Sequence, residues 1–575
     1  MHRAVLFLAA ASALSLSTSW AETRPHIIMM MADDLGWNDV GFNGGKIKTP
    51  NMDALARNGI ILNNYYTAPN CGPSRAQFLT GKYLTHLGLQ HKNLQPCRPS
   101  GIPLSVPTIA DELRLMGYGN HLIGKWHGGF HTSEYLPTNR GFHSFRGMLN
   151  GVGDHFRHTK KFQGVEYLDF YNDTIPYTGA YGVYSTDYFK RRALEVIDEH
   201  DRSGQPMFMF LSFQAPHTPN QAPQELLDEY PDIHDESRKK YAAMVTGMDQ
   251  AIGVIVADLM RRNMYNNTVI VLSTDNGGQS LSGGASNYPL RGNKGTYYEA
   301  GIKGVAVVSS PLASFVGRSE ALVHITDWVP TFIHLAGGRP IGHDGINQWE
   351  TLSTGNTTGG RTEIIYNIDP LTVASRSSRR AARREMRAMR KSHRSQARAR
   401  QNNSPTFNRQ LFEDSVDRFA TFSPPPFTSS LPPLTTSFAP PGRLHFQRST
   451  TFSPREETEF NTDQLAVIRS GDWKLMTGPI GFNGIVPNPD TDLVAYMTAR
   501  SFKNSNSAVR LFNIRNDPTE ANNLRAERPD IVRELIEKLA RHERTALPAF
   551  YPSTSDECRP QPYGNIRVWG PYSRI

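Results

Sequence analysis

Short apolar runs, each ended by charged or imidazole side chains, recur along this chain. "HIIMMMA" from His26 stops at Asp33-Asp34, and "HLIG" from His121 stops at Lys125-Trp126-His127. "PMFMFLSFQAP" from Pro206 stops at His217, and "TVIVLST" from Thr268 stops at Asp275-Asn276. Short continuous apolar runs predict strands buried on both faces. Helical patterns lie between them. Thr49-Pro50 opens "NMDALARNG", closed by Gly59, and Pro107 opens "TIADELRLMG", closed by Gly117. "RKKYAAMVTGMDQAIGVIVADLMRR" keeps apolar residues at three-to-four spacing over several turns. Strands alternating with helices predict an α/β fold around a large, mostly parallel sheet. Such sheets collect ligands at the carboxyl ends of their strands, so the four run endings predict one site.

From Pro370 the pattern breaks. A basic run is followed by "FSPPPFTSSLPPLTTSFAPPG", the composition of a disordered insertion. Regular patterning resumes with "QLAVIRSGDWKLMTG", two strands joined as a hairpin at Gly471-Asp472. A further strand in "VRLFNIRNDP" and a helix in "PDIVRELIEKLARH", opened by Pro529, complete a smaller α+β subdomain. The expected organisation is a leader over 1–21, a catalytic domain over 22–369, the insertion over 370–463 and the subdomain over 464–575.

The leader expectation rests on "MHRAVLFLAAASALSLSTSWAETRP": a basic start, an apolar run from Ala4 to Leu16, and small residues before Glu22. That is the layout of a secretory signal peptide cut after Ala21. No later apolar run reaches about 18 residues, so no transmembrane helix is expected. Acceptor sequons at Asn172, Asn266, Asn356 and Asn402 fit a glycosylated secretory protein.

Charge changes the picture only once it is located. The 575 residues carry a formal net charge of +9, yet Arg376 to Arg400 alone holds ten Arg and one Lys against one Glu, a net of +10. The remaining chain is therefore near neutral, and no nucleic-acid partner is expected. The basic run reads as a solvated loop or a polyanion-binding arm. Three cysteines in an oxidising compartment leave at least one thiol unpaired. A Cys97–Cys558 bridge would free Cys71, and a Cys71–Cys97 bridge would free Cys558; parity does not choose.

Asp33-Asp34 alone would be read as a turn cap. Together with Asp275-Asn276 they form an all-oxygen donor set, which suits calcium or magnesium and not zinc. Cys71-Gly-Pro-Ser-Arg places Pro73 where a helix begins, so Cys71 lies beside backbone donors that favour negative charge. Arg75, one turn on, offers a fixed fork of donors to an anion. On these grounds alone a thiolate enzyme stays open.

The motif "CGPSR" with Leu79-Thr80-Gly81 resembles the sulfatase signature. "ADDLGWNDVGF", "GKWHGG", "STDNGG" and "LRGNKGTYYEAG" are similar to the matching segments of that family, in the same order. Within it, "NYYTAPNCGPSR", "GLQHKNLQPCRPS", "RGFHSFRG", "STDNGGQSLSGG" and "VWGPY" resemble the arylsulfatase B branch, N-acetylgalactosamine 4-sulfatases. The resemblance implies an alkaline-phosphatase-like sandwich with a C-terminal antiparallel sheet. It implies that a formylglycine-generating enzyme oxidises Cys71 to formylglycine. Calcium would be held by Asp33, Asp34, Asp275, Asn276 and the modified residue 71. Arg75 and Lys125 would stabilise the aldehyde hydrate, while His127, His217 and Lys294 would bind sulfate and move its protons. The resemblance also implies a Cys97–Cys558 disulfide, a sulfated glycosaminoglycan or other sulfated carbohydrate as substrate, and a lysosomal or secreted location. In an acidic lysosome, histidines near their ordinary ~6.5 would start protonated unless the site shifts them.

Gly101 stands where those relatives usually carry a cysteine, and Asn293, Tyr298 and Ala300 replace their commoner Gly, Trp and Gly. Two other functions compete with sulfate ester hydrolysis: non-catalytic binding of sulfated polymers, and hydrolysis of phosphate or phosphonate esters.

Overall fold

A computed structural model describes residues 24–373, 460–489 and 509–573. The expected leader, the basic run, the Pro/Ser-rich stretch and Asn402 lie outside the described residues. The four apolar runs are the centre of a ten-stranded sheet. Its strands, in chain order, are β1 (His26–Ala32), β2 (Ile60–Tyr66), β3 (Gly119–Lys125), β4 (Ser144–Met148), β5 (Tyr171–Asn172), β6 (Ile175–Pro176), β7 (Met207–Ser212), β8 (Thr268–Thr274), β9 (Ala306–Ser309) and β10 (Gly317–His324). They lie in the order β10-β2-β9-β8-β1-β7-β3-β4-β5-β6. The contiguous block β8-β1-β7-β3-β4 is parallel. β9 runs antiparallel between β8 and β2, so the sheet is mixed.

Period-two alternation explains why "HIIMMM" needs no polar face. Ile27, Met29 and Met31 pack on one side with Phe208, Phe210, Trp328 and Phe332. Ile28 and Met30 pack on the other with Met209, Leu211, Val196 and Met244. Successive side chains point to opposite faces, and both faces are covered.

The helices that matter here are α1 (Pro50–Arg57), α2 (Cys71–Thr80), α3 (Ile109–Leu115), α4 (Ser185–Ser203), α5 (Glu236–Arg261) and α6 (Pro529–Thr545). α2 is buried along its whole length and stops at Gly81, whose left-handed φ of 66° suits a glycine after a helix end. α5 is long and apolar enough to span a membrane by composition, but its apolar residues are largely buried against the sheet.

A second, four-stranded antiparallel sheet joins β11 (Glu363–Val373), β12 (Gln464–Ser470), β13 (Trp473–Thr477) and β14 (Val509–Asn513). Ser470 pairs with Trp473, so Gly471-Asp472 forms the expected hairpin turn. Its first strand comes from before the Pro370 break, and the expected boundary at 369/370 falls inside that strand. α6 lays Ile531, Leu535 and Leu539 on Ile365, Ile468 and Leu475 of this sheet.

Candidate active site at the carboxyl ends of the strands

Backbone hydrogen bonds carry the parallel block past its last paired residues. Asp33 N–H donates to Ala215 O at 3.1 Å and Asp275 N–H to Ala32 O at 3.2 Å, which aligns the ends of β1, β7 and β8. The chain then turns sharply. Asp34 and His127 both adopt left-handed φ, 67° and 54°, a conformation that costs a non-glycine residue about 1–3 kcal/mol and is typical of functional sites. On β3, Gly124 has φ 108°, and a Cβ there would lie 1.8 Å from Ser212 O. Only glycine lets β3 run this close to β7 just before Lys125.

The ligating atoms of Asp33, Asp34, Cys71 and His217 lie within 4.8 Å of one another. Cys71 heads α2, and its Sγ is 3.2 Å from Asp33 Oδ1 and 3.8 Å from Asp34 Oδ1. Three cations meet three carboxylates around it. Lys125 Nζ reaches Asp33 Oδ2 at 2.5 Å, and Lys294 Nζ reaches Asp34 Oδ2 at 2.6 Å. Arg75 Nε and Nη2 donate to Asp275 Oδ2 at 3.0 and 2.9 Å. Asp33, Arg75, Lys125 and Asp275 are fully buried, and a buried charge is tolerated only when paired in this way.

The pairing overrides burial for the carboxylates. Burial alone would raise Asp33, but Lys125 and Arg75 hold it below its ordinary range, and Lys294 does the same for Asp34. Burial opposes the Lys294 ammonium, and Asp34 outweighs it, so Lys294 stays charged. The thiol goes the other way. Burial, followed by Asp275 and Asp33, pushes Cys71 well above the ordinary cysteine value. These carboxylates disfavour the thiolate form of an unmodified Cys71.

The histidines are held as specific tautomers. A carbonyl can only accept, so His127 carries its proton on Nε2, which donates to Leu94 O at 3.1 Å. Its Nδ1 is left with a buried lone pair and no partner. By the same argument His217 carries its proton on Nδ1, which donates to Thr218 O at 2.6 Å, and its bare Nε2 stands 3.6 Å from Asp34 Oδ2. Burial lowers both histidines; Lys125 adds to the effect at His127 and Lys294 at His217. The site therefore shifts both away from the protonated state expected of ordinary histidines in acid.

The structure thus brings eight of the ten expected site residues into one hydrogen-bonded group, with His217 Nε2 beside it, 3.6 Å from Asp34 Oδ2. His127 stands on the wall, where its ring bonds Leu94. Asn276 belongs through Asp34: its Nδ2 donates to Asp34 Oδ1 at 2.7 Å while its own Oδ1 is buried without a partner. Asp275 sits one step back, held by Arg75 and accepting weakly from Asp34 N–H at 3.4 Å. That spare amide oxygen beside two aspartates fits a hard divalent cation.

Of the sequons, Asn266 and Asn356 are exposed and Asn172 is half-buried. Cys97 and Cys558 form a disulfide across 461 residues, and Cys71 is free, which resolves the parity question. Gly101 has no room for a larger side chain: its Cβ would meet the Tyr135 ring at 2.6 Å.

Three contributors were missed from the sequence. Ser212 Oγ donates to Lys125 O at 2.7 Å and accepts from Arg75 Nη1 at 2.5 Å. As the one hydroxyl in an apolar run, it was a readable signal. Asn93 Oδ1 accepts from Gly72 N–H at 3.1 Å, capping the head of α2, and the Leu94 carbonyl sets the His127 tautomer. Neither carries a local signal.

Comparison with known proteins agrees with this geometry. A family model described as sulfatase matches residues 25–338. Arylsulfatase J of Mus musculus is 35% identical over 559 residues, 96% of this chain and 80% of that protein. N-acetylgalactosamine-6-sulfatase of Mus musculus is 29% identical over 362 residues, 60% of this chain and 68% of that protein. The solved structure of Ps i-CgsB in complex with k-i-k-neocarrahexaose superposes with a TM-score of 0.65 at 25% identity, covering 92% of this chain and 95% of that one. On these matches and this site, the chain belongs to the sulfatase family, enzymes that hydrolyse sulfate esters.

Proposed function

We propose that this sulfatase removes sulfate from sulfated galactosamine units of a glycosaminoglycan, with position 71 converted to formylglycine and calcium bound beside it. The observation that carries the reading is Cys71 at the head of α2, enclosed with Asp33, Asp34 and His217 within 4.8 Å. Asp33, Asp34, Asp275 and Asn276 would hold the cation, which supplies positive charge to sulfate oxygens. Formylglycine, when present, supplies as its hydrate one hydroxyl oxygen for attack at sulfur and a second hydroxyl whose proton must later leave.

The chain's own groups do the rest. Arg75 and Lys125 orient residue 71 and keep the carboxylates ionised. Three carboxylates already balance three cations, so a divalent cation gives the pocket a net attraction for a sulfate monoester anion. His127 is neutral with a buried, unpartnered lone pair on Nδ1, the state of a general base. His217 carries no proton on Nε2 in its neutral tautomer, so it can protonate a leaving alcohol only as the imidazolium, which Asp34 would stabilise. Lys294 remains charged and offers a fixed positive charge to the sulfate on that side.

The galactosamine assignment is supported by the arylsulfatase B-like segments and by a relative named N-acetylgalactosamine-6-sulfatase. The disulfide supports the secretory pathway, lysosomal or extracellular. The test is turnover of a chromogenic aryl sulfate against the matching phosphate, then sulfate release from defined chondroitin 4-sulfate, chondroitin 6-sulfate and dermatan oligosaccharides. Preference for the phosphate, or no release from any oligosaccharide, overturns the reading.

A further inference from the structure

Of the proposed site's three ion-paired cations, Arg75 lies on α2 and Lys125 on β3, whereas Lys294 is carried by a loop. It sits at the tip of a loop, 291–299, and the loop's free side faces the second sheet. Glu520, in the turn that follows β14, grips both ends of that loop. Its backbone carbonyl accepts from Arg291 Nη1, and its side-chain Oε2 accepts from Glu299 N–H at 2.7 Å. The other carboxylate oxygen is 2.8 Å from Lys474 Nζ on β13, and the same ammonium holds Glu299 Oε1 at 2.9 Å. Tyr66 OH closes the cluster by donating to Glu299 Oε2 at 2.8 Å. Lys474, Glu299 and Glu520 are all fully buried, and Glu520 takes a left-handed φ of 53° to reach both partners.

Two carboxylates sharing one buried lysine are expensive to bury. What the cluster secures is backbone. Ala300 N–H donates to Arg291 O at 2.8 Å, closing the loop's base, and Gly292 N–H donates to Gly484 O at 2.9 Å. On the site side, Gly295 N–H donates to Pro69 O at 2.8 Å, two residues before Cys71. The loop is therefore suspended between the nucleophile's segment and the C-terminal sheet.

We propose that Glu520 is a positioning residue that holds Lys294 in the site, acting through Arg291, Glu299 and Lys474. This rests on the role assigned to Lys294 above. The second sheet then has a catalytic purpose: it sets the placement of that positive charge from across the molecule.

The test is a double-mutant cycle on full-length protein, with aryl sulfate turnover and backbone hydrogen exchange as readouts. Glu520→Ala is expected to lower kcat/KM by about tenfold or more, since an ångström-scale misplacement of a catalytic group is that costly. In a Lys294→Ala background the same change is expected to cost about twofold or less, because the group it positions is gone. Glu520→Gln, which keeps an acceptor for Glu299 N–H, is expected to recover most of the loss. If Glu520→Ala does not fold, Glu520→Asp, one methylene too short, runs the same cycle. A loss carried in full into the Lys294→Ala background, or a Gln variant no better than Ala, overturns the proposal. Amides 292–298 are expected to exchange faster in Glu520→Ala while β1 and α5 keep their protection. Unchanged loop exchange also overturns it, whether or not the wild type turns over the aryl sulfate. A wild type without turnover instead refutes the sulfated-substrate reading.

Discussion

The two ends of the same sheet bury polar side chains in opposite ways. Near the start of β3, Ser144 Oγ donates to His121 Nδ1 at 2.7 Å, His121 Nε2 donates to His200 Nε2 at 2.9 Å, and His200 Nδ1 donates to Gln205 O at 2.8 Å. The final carbonyl fixes every tautomer in that chain, and each histidine is neutral and satisfied. Burial and then His200 push His121 down to about 3. At the other end of β3, Lys125 enters a cluster of ions and His127 stands beside it, with spare acceptors at Asn276 Oδ1 and His127 Nδ1. A closed chain of neutral hydrogen bonds has nothing left to offer a ligand, whereas a charged cluster with free lone pairs is built to receive one. Burial alone does not tell structure from function; paired buried charges beside free lone pairs mark the site end.

Substitutions can break this contrast. Cys71→Ala is expected to abolish aryl sulfate turnover by several orders of magnitude with no loss of thermal stability, and peptide mass spectrometry should find formylglycine at position 71 in the active wild type. His127→Ala should lower kcat about 10²–10⁴-fold, the range for loss of a general base, and remove one limb of the pH–rate profile. Asn276→Ala should weaken calcium binding about 10–100-fold, read by calorimetric titration of chelator-treated protein, with turnover restored at high calcium. His121→Phe, at the quiet end, should cost about 1–3 kcal/mol of stability by leaving His200 unpaired, while kcat/KM on the aryl sulfate stays at the wild-type value.

The same contrast predicts a pH effect on stability. His121 is neutral when folded and titrates at its ordinary value, about 6.5, when unfolded. The unfolded chain therefore binds more protons between those values, so its contribution is intact above about 6.5 and is lost as pH falls toward 3. Denaturant midpoints measured from pH 7 to pH 4 should decline less steeply in His121→Phe than in the wild type.

Much of the site could be read before any coordinates. A strand's alternation and the residue at its end are local properties, and four runs ending in Asp33-Asp34, Lys125, His217 and Asp275-Asn276 announced a shared location. The Cys71 turn and Gly81 stop were equally local. What could not be read were pairings between distant segments with no compositional mark. β11 joins the C-terminal sheet from before the Pro370 break, because strand pairing depends on backbone edges that composition does not reveal. Glu520 reaches Arg291 across 229 residues.

The amino-acid order alone marked the four central strands β1, β3, β7 and β8, the C-terminal hairpin and the charged or imidazole side chains that follow the central strands, because apolar periodicity and turn chemistry act over a few residues. Only the folded molecule decided the histidine tautomers, the partners of the buried ions around Cys71 and the suspension of the Lys294 loop. Each of those depends on which carbonyl, carboxylate or ammonium ends up within about 3 Å, and that distance is set by packing.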